Sequence, residues 1–382
     1  MSAESAPSRR PLRETQCWIF TCDEGSTEQA RAEVLAATAI DDEQELAPGV
    51  WLLLTRKSTA QVAEAWREQP PIFVRHMAPV HSAYPLAGVA EDATAVGAAV
   101  GTEDRLAARL DPTLTFSVQT RVIGGHPSKP FDWNQPLSAA LAEATSAPLD
   151  VRKQAQVLSV TIVELPAEWA NLLGRQGLLA TGTARPGEGA WALLGVSRVE
   201  QNLSGWAGGM RRFAREEARV SRSEFKLLEA LELFGITLPE YGVALDLGAA
   251  PGGWTRILRV AGQYVTAVDP ADLDARIAAD PGVRHQRMTA EEYLRNDPDL
   301  FDLIVNDMRM DARDSAKIMV AYAPQLYRTG RALMTLKLPE SGRDAQIENA
   351  FTTLRKAYEI THARQLFHNR SEITVALVRK QV

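Results

Sequence analysis

The 382 residues contain only two cysteines, Cys17 and Cys22. So few exclude a disulfide framework and a cysteine-built zinc site, so no metal is expected, and they fit a reducing compartment. The chain has no run of about 18 uninterrupted apolar residues, so no membrane-spanning helix is expected. The polar start MSAESAPSRRPLRE lacks the apolar centre a secretion signal needs and reads as a disordered tail over residues 1–14. The expected location is therefore the cytoplasm. An excess of positive charge is missing too: Lys and Arg number 42 against 48 Asp and Glu, a net charge of −6. That excludes a uniformly basic coat for nucleic acid, but not a local basic patch on an acidic body. What is present is an ordinary globular balance, 45% hydrophobic and 24% charged, in a chain long enough for two or three domains.

Residues 15–84 read as a small α/β subdomain. Strands are expected at 17–20 and 50–54, and helices at 26–38 and 58–68, with Ser58 as an N-cap. Pro70-Pro71 breaks the second helix, and Ile72-Phe73-Val74 begins another strand. A second α+β unit spans 85–204, with strands at 114–122, 157–165 and 191–196 and a helix at 136–145. The segment 124–130 reads as a surface loop. Residues 205–220 form a basic linker, and the arginines 211, 212, 215, 219 and 222 make this the densest positive stretch. A solvated helix face offset by Glu216 and Glu217, and an RNA-facing linker, both fit it. From 221 to 382 strands and helices alternate, and the last strand, 373–379, follows the strand 363–367 after a short turn. This is the pattern of a Rossmann-like, mostly parallel doubly wound sheet whose last strand is antiparallel.

The segment Val243-Ala244-Leu245-Asp246-Leu247-Gly248-Ala249-Ala250-Pro251-Gly252-Gly253-Trp254 is a strand, a glycine turn and a helix start. In such a sheet the ligand lies at the carboxyl ends of the strands, and glycine lets backbone come close to it. Asp246 can accept from an amino or ammonium group. Asp269, 23 positions later at the end of the next strand, can accept the ribose hydroxyls of a nucleoside cofactor. A dinucleotide needs G-x-G-x-x-G at a pyrophosphate, whereas this loop is G-A-A-P-G-G and lacks the Walker lysine. S-adenosylmethionine carries no phosphate and suits the loop better.

A methyl donor leaves the acceptor open. Pyrimidine C5 methylation needs a cysteine nucleophile, and both cysteines lie far upstream. The Asn306-Asp307-Met308-Arg309 turn lacks the prolines common in amino-nitrogen methylation. Methylation of an alcohol oxygen needs a hydroxyl activated beside the donor. Asp307 closes one strand, Lys337 interrupts the apolar run ALMTLKL, Glu372 opens the last strand, and Lys226 sits in the helix SRSEFKL. Burial is expected to lower the pKa of Lys337 and let its neutral amine accept a proton. Taken singly, each of the four also reads as an ordinary salt-bridging residue.

Together these spans resemble the FtsJ-like (RrmJ-type) ribose 2′-O-methyltransferases. The resemblance is closest to the RlmM-like large-subunit ribosomal RNA methyltransferases, which carry an N-terminal THUMP-containing region. The strings SRSEFKLLEA, LDLGAAPGGWT, VNDM, LKLP and ARQLFHNRSEITV carry it over roughly residues 204–382. The resemblance implies a catalytic Lys-Asp-Lys-Glu tetrad at Lys226, Asp307, Lys337 and Glu372. It also implies donor contacts at Ser221, Asp246, Gly248, Ala249, Ala250, Pro251, Gly252, Gly253, Trp254, Asp269 and Asp307. The implied reaction is in-line methyl transfer to the ribose 2′-hydroxyl of a cytidine in large-subunit ribosomal RNA, with the region 85–204 as a THUMP-like RNA-binding domain. Two departures stand out. Thr289, followed by Glu291 and Glu292, holds the place of the acid that usually meets the adenine amino group, and Ala250 replaces a common cysteine. Only RNA carries the 2′-hydroxyl, so DNA is not expected as a substrate. A transfer RNA substrate, a non-catalytic RNA-binding ribosome-assembly factor and a small-molecule O-methyltransferase remain as alternatives, and the oligomeric state is not legible.

Overall fold

The computed structural model of the protein describes residues 14–181, 187–214, 216 and 218–381. The expected tail, apart from Glu14, lies outside the described residues, as do Arg215 and Glu217 of the basic stretch. The chain divides into two compact units: one formed by residues up to Gln69 and by His76–Gly209, the other by Pro70–Arg75 and by the chain from Met210 onward.

The first unit holds two sheets. Strands β1 (Cys17–Thr21), β2 (Ile40–Ala47), β3 (Val50–Thr55) and β4 (His76–Pro79) pair antiparallel in the order β2-β3-β1-β4. Helices α1 (Thr27–Ala37) and α2 (Thr59–Glu68) belong to the same half. Ser58 caps α2 as expected: its hydroxyl accepts from the Gln61 amide, and the Gln61 side chain accepts from the Ser58 amide at 3.0 Å. The segment Ile72-Phe73-Val74 forms no strand, contrary to the expectation; it belongs to the other unit.

The second sheet contains β5 (Ser82–Pro85), β6 (Phe116–Val122), β7 (Gln156–Leu165) and β8 (Gly189–Arg198) in the order β5-β8-β7-β6. Around it lie α3 (Asp92–Thr102), α4 (Asp104–Ala107), α5 (Pro130–Thr145) and α6 (Ala167–Arg175). Strand β5, at the expected 84/85 boundary, joins this sheet. Helix α5 crosses between the parallel strands β6 and β7 and buries Trp133, Leu137 and Leu141 beside Val96 and Val100 of α3. It begins six residues before the expected Pro136. Pro130 occupies the first turn, where a missing N–H costs nothing, and Pro136 lies inside the helix.

The second unit alternates α7 (Glu224–Leu233), β9 (Val243–Leu247), α8 (Gly253–Val260), β10 (Tyr264–Val268), α9 (Ala275–Ala278), β11 (Val283–Gln286), α10 (Ala290–Arg295), β12 (Phe301–Asn306), α11 (Ala312–Ala321), β13 (Leu326–Lys337), α12 (Arg343–Leu354), β14 (Tyr358–Arg364) and β15 (Glu372–Arg379). Its sheet runs β11-β10-β9-β12-β13-β15-β14. The pairs from β11 to β13 are parallel, and β15 runs antiparallel between β13 and β14. This is the expected α/β class, with a Rossmann-like sheet and an N-terminal α+β region. The strand expected at 363–367 lies earlier, at β14; Gln365 and Leu366 turn inward instead, buried beyond its end. Successive strands are added on opposite sides of β9, so the sheet opens a crevice at the carboxyl ends of β9 and β12.

The segment Pro70–Arg75 is part of this second unit. Gln365 donates its amide to Ile72 O at 2.7 Å, and the buried Arg364 guanidinium donates to Val74 O at 2.7 Å and Arg75 O at 3.2 Å. Arg75 returns bonds to Gln365 O and Leu366 O. Phe73 and Val74 are buried.

Candidate active site

The glycine turn follows β9 directly. Gly248 has φ +77°, and a Cβ there would lie 2.5 Å from Met308 Cγ, so only glycine lets the two strand ends approach this closely. Gly252, at φ +106°, caps α8. A Cβ on Gly253 would lie 2.2 Å from Ser221 Oγ, which places Ser221 against the turn. Ala250 donates its amide to Asp269 Oδ2 at 3.1 Å, so the carboxylate at the end of β10 meets the loop. The first-turn amides of α8 have no acceptor within the helix and end at the crevice.

Asp246 is fully buried. Thr255 donates to its Oδ2 at 2.6 Å, and burial, with the nearby charge of Asp307, pushes the carboxyl up to about 7. Trp254 is different: its side chain is buried in the core and its indole donates to Ser223 O at 2.8 Å, so it offers the crevice only backbone. Thr289, placed by the sequence near the adenine site, is exposed and spends its hydroxyl and amide on a capping box with Glu292 at the start of α10.

Lys226, Asp307, Lys337 and Glu372 meet in one cluster. They come from α7, the end of β12, the end of β13 and the start of β15. The antiparallel register of β13 and β15 sets Lys337 directly opposite Glu372. Lys226 Nζ lies 3.2 Å from Asp307 Oδ2 and 2.5 Å from Glu372 Oε1. Lys337 Nζ lies 2.7 Å from Asp307 Oδ1 and also pairs with Glu372 Oε2. Each ammonium therefore touches both carboxylates. The side chains retain 14%, 14%, 26% and 7% of their surface in the order Lys226, Asp307, Lys337, Glu372, so Lys337 is the most open to a substrate.

Burial alone raises the Asp307 carboxyl, but the charges of Lys337 and Lys226 outweigh it and hold the group below its ordinary value. Burial likewise works to lower Lys337, and here the two carboxylates win and hold the ammonium above its ordinary value. This corrects the expectation of a depressed Lys337. The solvation argument is right in sign, but two charges at contact range overcome it.

Three residues escaped the sequence reading. Thr335 donates to Asp307 Oδ1 at 2.7 Å and accepts from Lys337 Nζ at 2.9 Å. Its position two residues before Lys337, on the same strand face, was the available signal. Glu224 accepts the amides of Val220 at 2.6 Å and Ser221 at 3.1 Å, and it pairs with Arg256 of α8. Together they fix the approach to Lys226. Among the described residues, no group of three or more His, Cys, Asp or Glu is arranged to hold a metal ion, and no helix is long and apolar enough to cross a membrane.

The model of the FtsJ-like methyltransferase family matches residues 219–381. A ribosomal RNA large subunit methyltransferase M from Halorhodospira halophila is 36% identical over 177 residues, covering 45% of this chain and 50% of the relative. One from Alkalilimnicola ehrlichii is 37% identical over 179 residues, 44% of this chain and 49% of the relative. The chain thus matches these curated relatives over about half their length. The solved structure of TrmN from Thermus thermophilus is similar over 95% of this chain and 100% of its own, at 16% identity and a TM-score of 0.36. The family match spans all of the second unit's sheet, the glycine turn and the four clustered ionisable residues.

Proposed function

We propose that the chain is an S-adenosylmethionine-dependent RNA ribose 2′-O-methyltransferase of the cytoplasm that modifies a cytidine of large-subunit ribosomal RNA. The observation that carries this reading is the alternating cluster of two ammonium groups and two carboxylates at the strand ends beside the glycine turn. The curated relatives are named for large-subunit ribosomal RNA, which favours that substrate over transfer RNA. A region of about 200 residues ahead of the methyltransferase domain is more than a small-molecule enzyme needs. It supports a role for the first unit, with its THUMP-like second half, in RNA capture.

The crevice suits a nucleoside donor without phosphates. The turn has no room for a Cβ at Gly248, the Asp269 carboxylate keeps lone pairs for ribose hydroxyls, and the buried Asp246 stands behind the loop. Loop 248–253, Asp246 and Asp269 would hold the donor, with Ser221 against Gly253. When bound, S-adenosylmethionine supplies an electrophilic sulfonium methyl that a ribose 2′-oxygen takes directly. Lys337 donates to that oxygen and stabilises its developing negative charge, a preorganised electrostatic contribution. Asp307, braced by Thr335, holds Lys337 in place. Lys226 and Glu372 position the ribose and balance the cluster's charge. Lys337 already carries its full set of protons, so the hydroxyl proton is released to water.

The test is mass-spectrometric mapping of ribose methylation in total RNA from cells with and without the gene, with Lys337→Ala alongside. The variant is expected to lose nearly all transfer while donor binding is retained. Normal turnover by Lys337→Ala excludes the assigned role. With Lys337 acting as the ammonium, the wild-type rate does not climb as pH rises toward the raised lysine pKa, and it falls beyond that pKa.

A further inference from the structure

One side-chain assembly of the second unit lies outside the tetrad and the donor turn. Phe213 and Phe225 stack with ring centres 5.5 Å apart and planes 13° from parallel. The His368 ring packs 5.0 Å from Phe225 and 5.6 Å from Phe213. Each phenylalanine also carries an arginine: the Arg211 guanidinium lies 4.3 Å from the Phe213 centre and that of Arg219 lies 5.2 Å from the Phe225 centre. The assembly adjoins the tetrad along the chain, because Phe225 precedes Lys226 and His368 lies four residues before Glu372. Glu229 accepts the backbone amides of Phe367 and His368, which fixes the histidine end.

A guanidinium stacked on a ring uses its face and leaves the five N–H donors around its edge for other partners. The two arginines differ there. Arg211 spends its edge on Glu232 Oε2 at 2.8 Å and on Arg212 O at 3.0 Å. The Arg219 edge has no hydrogen bond or ion pair with any described residue, although the amides of the next two residues are pinned to Glu224. The exposed Arg222, Arg309 and Arg370, each within four positions of a tetrad residue, also lack a carboxylate partner among the described residues. A held cation with an open planar edge, in a field of like charge, is built for a bidentate oxyanion.

We infer that Arg219, held on Phe225, binds a backbone phosphate of the RNA beside the target ribose, and that the Phe213–Phe225–His368 stack positions it. Arg211 secures the other ring and contacts no RNA. The inference rests on the RNA methyltransferase reading above and adds to it a phosphate-contacting residue.

The test measures binding of the full-length protein to a large-subunit ribosomal RNA transcript across a salt series, with donor affinity as the control for folding. Arg219→Ala is expected to lower RNA affinity about tenfold and to make the log–log salt slope shallower by about 0.7, the loss of one phosphate contact on a single strand. Donor affinity and the maximal rate at saturating RNA stay near wild type, so the defect lies in the KM for RNA. Arg219→Lys keeps the slope but recovers only part of the affinity, since the bidentate edge is gone. Arg211→Ala leaves the slope unchanged. An unchanged slope and affinity in Arg219→Ala overturn the inference, as does an equal slope change in Arg211→Ala. If wild-type protein binds no RNA at all, the functional reading itself falls; if it binds and methylates while Arg219→Ala behaves like wild type, only this inference does.

Discussion

Buried charge at single residues decides how this site behaves. Asp246 is protonated more readily in the folded chain than in the unfolded one, because burial pushes it from an ordinary carboxylate value up to about 7. Between those two values the folded state holds a proton that the unfolded state has released. Stability therefore falls as pH rises through that window and levels off above about 7. A shift of this size corresponds to as much as about 4 kcal/mol. Asp246→Asn removes the titration, so the variant should gain on wild type from pH 4 to pH 8 in urea denaturation, and parallel curves would show that Asp246 does not titrate there. Lys337 teaches the opposite lesson. Its interruption of an apolar strand was legible, but its charge state was not, since that depends on Asp307 and Glu372, 30 and 35 positions away. Thr335 was missed for a related reason: a threonine in a strand looks like an ordinary β-former until its hydroxyl is seen between Asp307 and Lys337.

Elements with strong local signals were read within a residue or two: the segment from Val243 folds as the expected strand, glycine turn and helix start, and the Ser58 cap sets the start of α2. The misses share a physical cause. β2, IDDEQELA, is an acidic edge strand whose charges hide its pairing with β3. The apolar triplet 72–74 has strand-like residues but is buried in the other unit instead of pairing. Described residues of the basic stretch from 210 to 220 form no helix. They are organised by side chains such as Arg256, which pairs with Glu216 and Glu224, and no sequence period reports such contacts. Glu224 matters at this scale because it ties the approach segment to the first turn of α7. Glu224→Ala should release Val220 and Ser221 and weaken donor binding about tenfold, the loss of a charge-assisted hydrogen bond. Calorimetric titration with S-adenosylmethionine checks it, and an unchanged affinity would remove Ser221 from the donor site.

At the scale of the whole molecule, the second unit is not a continuous stretch of chain. A fragment beginning at residue 210 lacks Pro70–Arg75, and with it the carbonyls that accept from Gln365 and the buried Arg364. Leaving such donors without acceptors costs roughly 1–3 kcal/mol. The fragment should therefore melt several degrees lower than one in which residues 70–75 are fused back, and its Gln365 amide should exchange with solvent much faster than in the intact chain. Equal protection in both would show that the segment is dispensable. The same arrangement bears on synthesis. Val74 is made 290 residues ahead of Arg364, a wait of roughly 15–60 s at translation speeds of about 5–20 residues per second. Through that interval the segment lacks its partners Arg364 and Gln365, so the second unit can close only after those residues have been made.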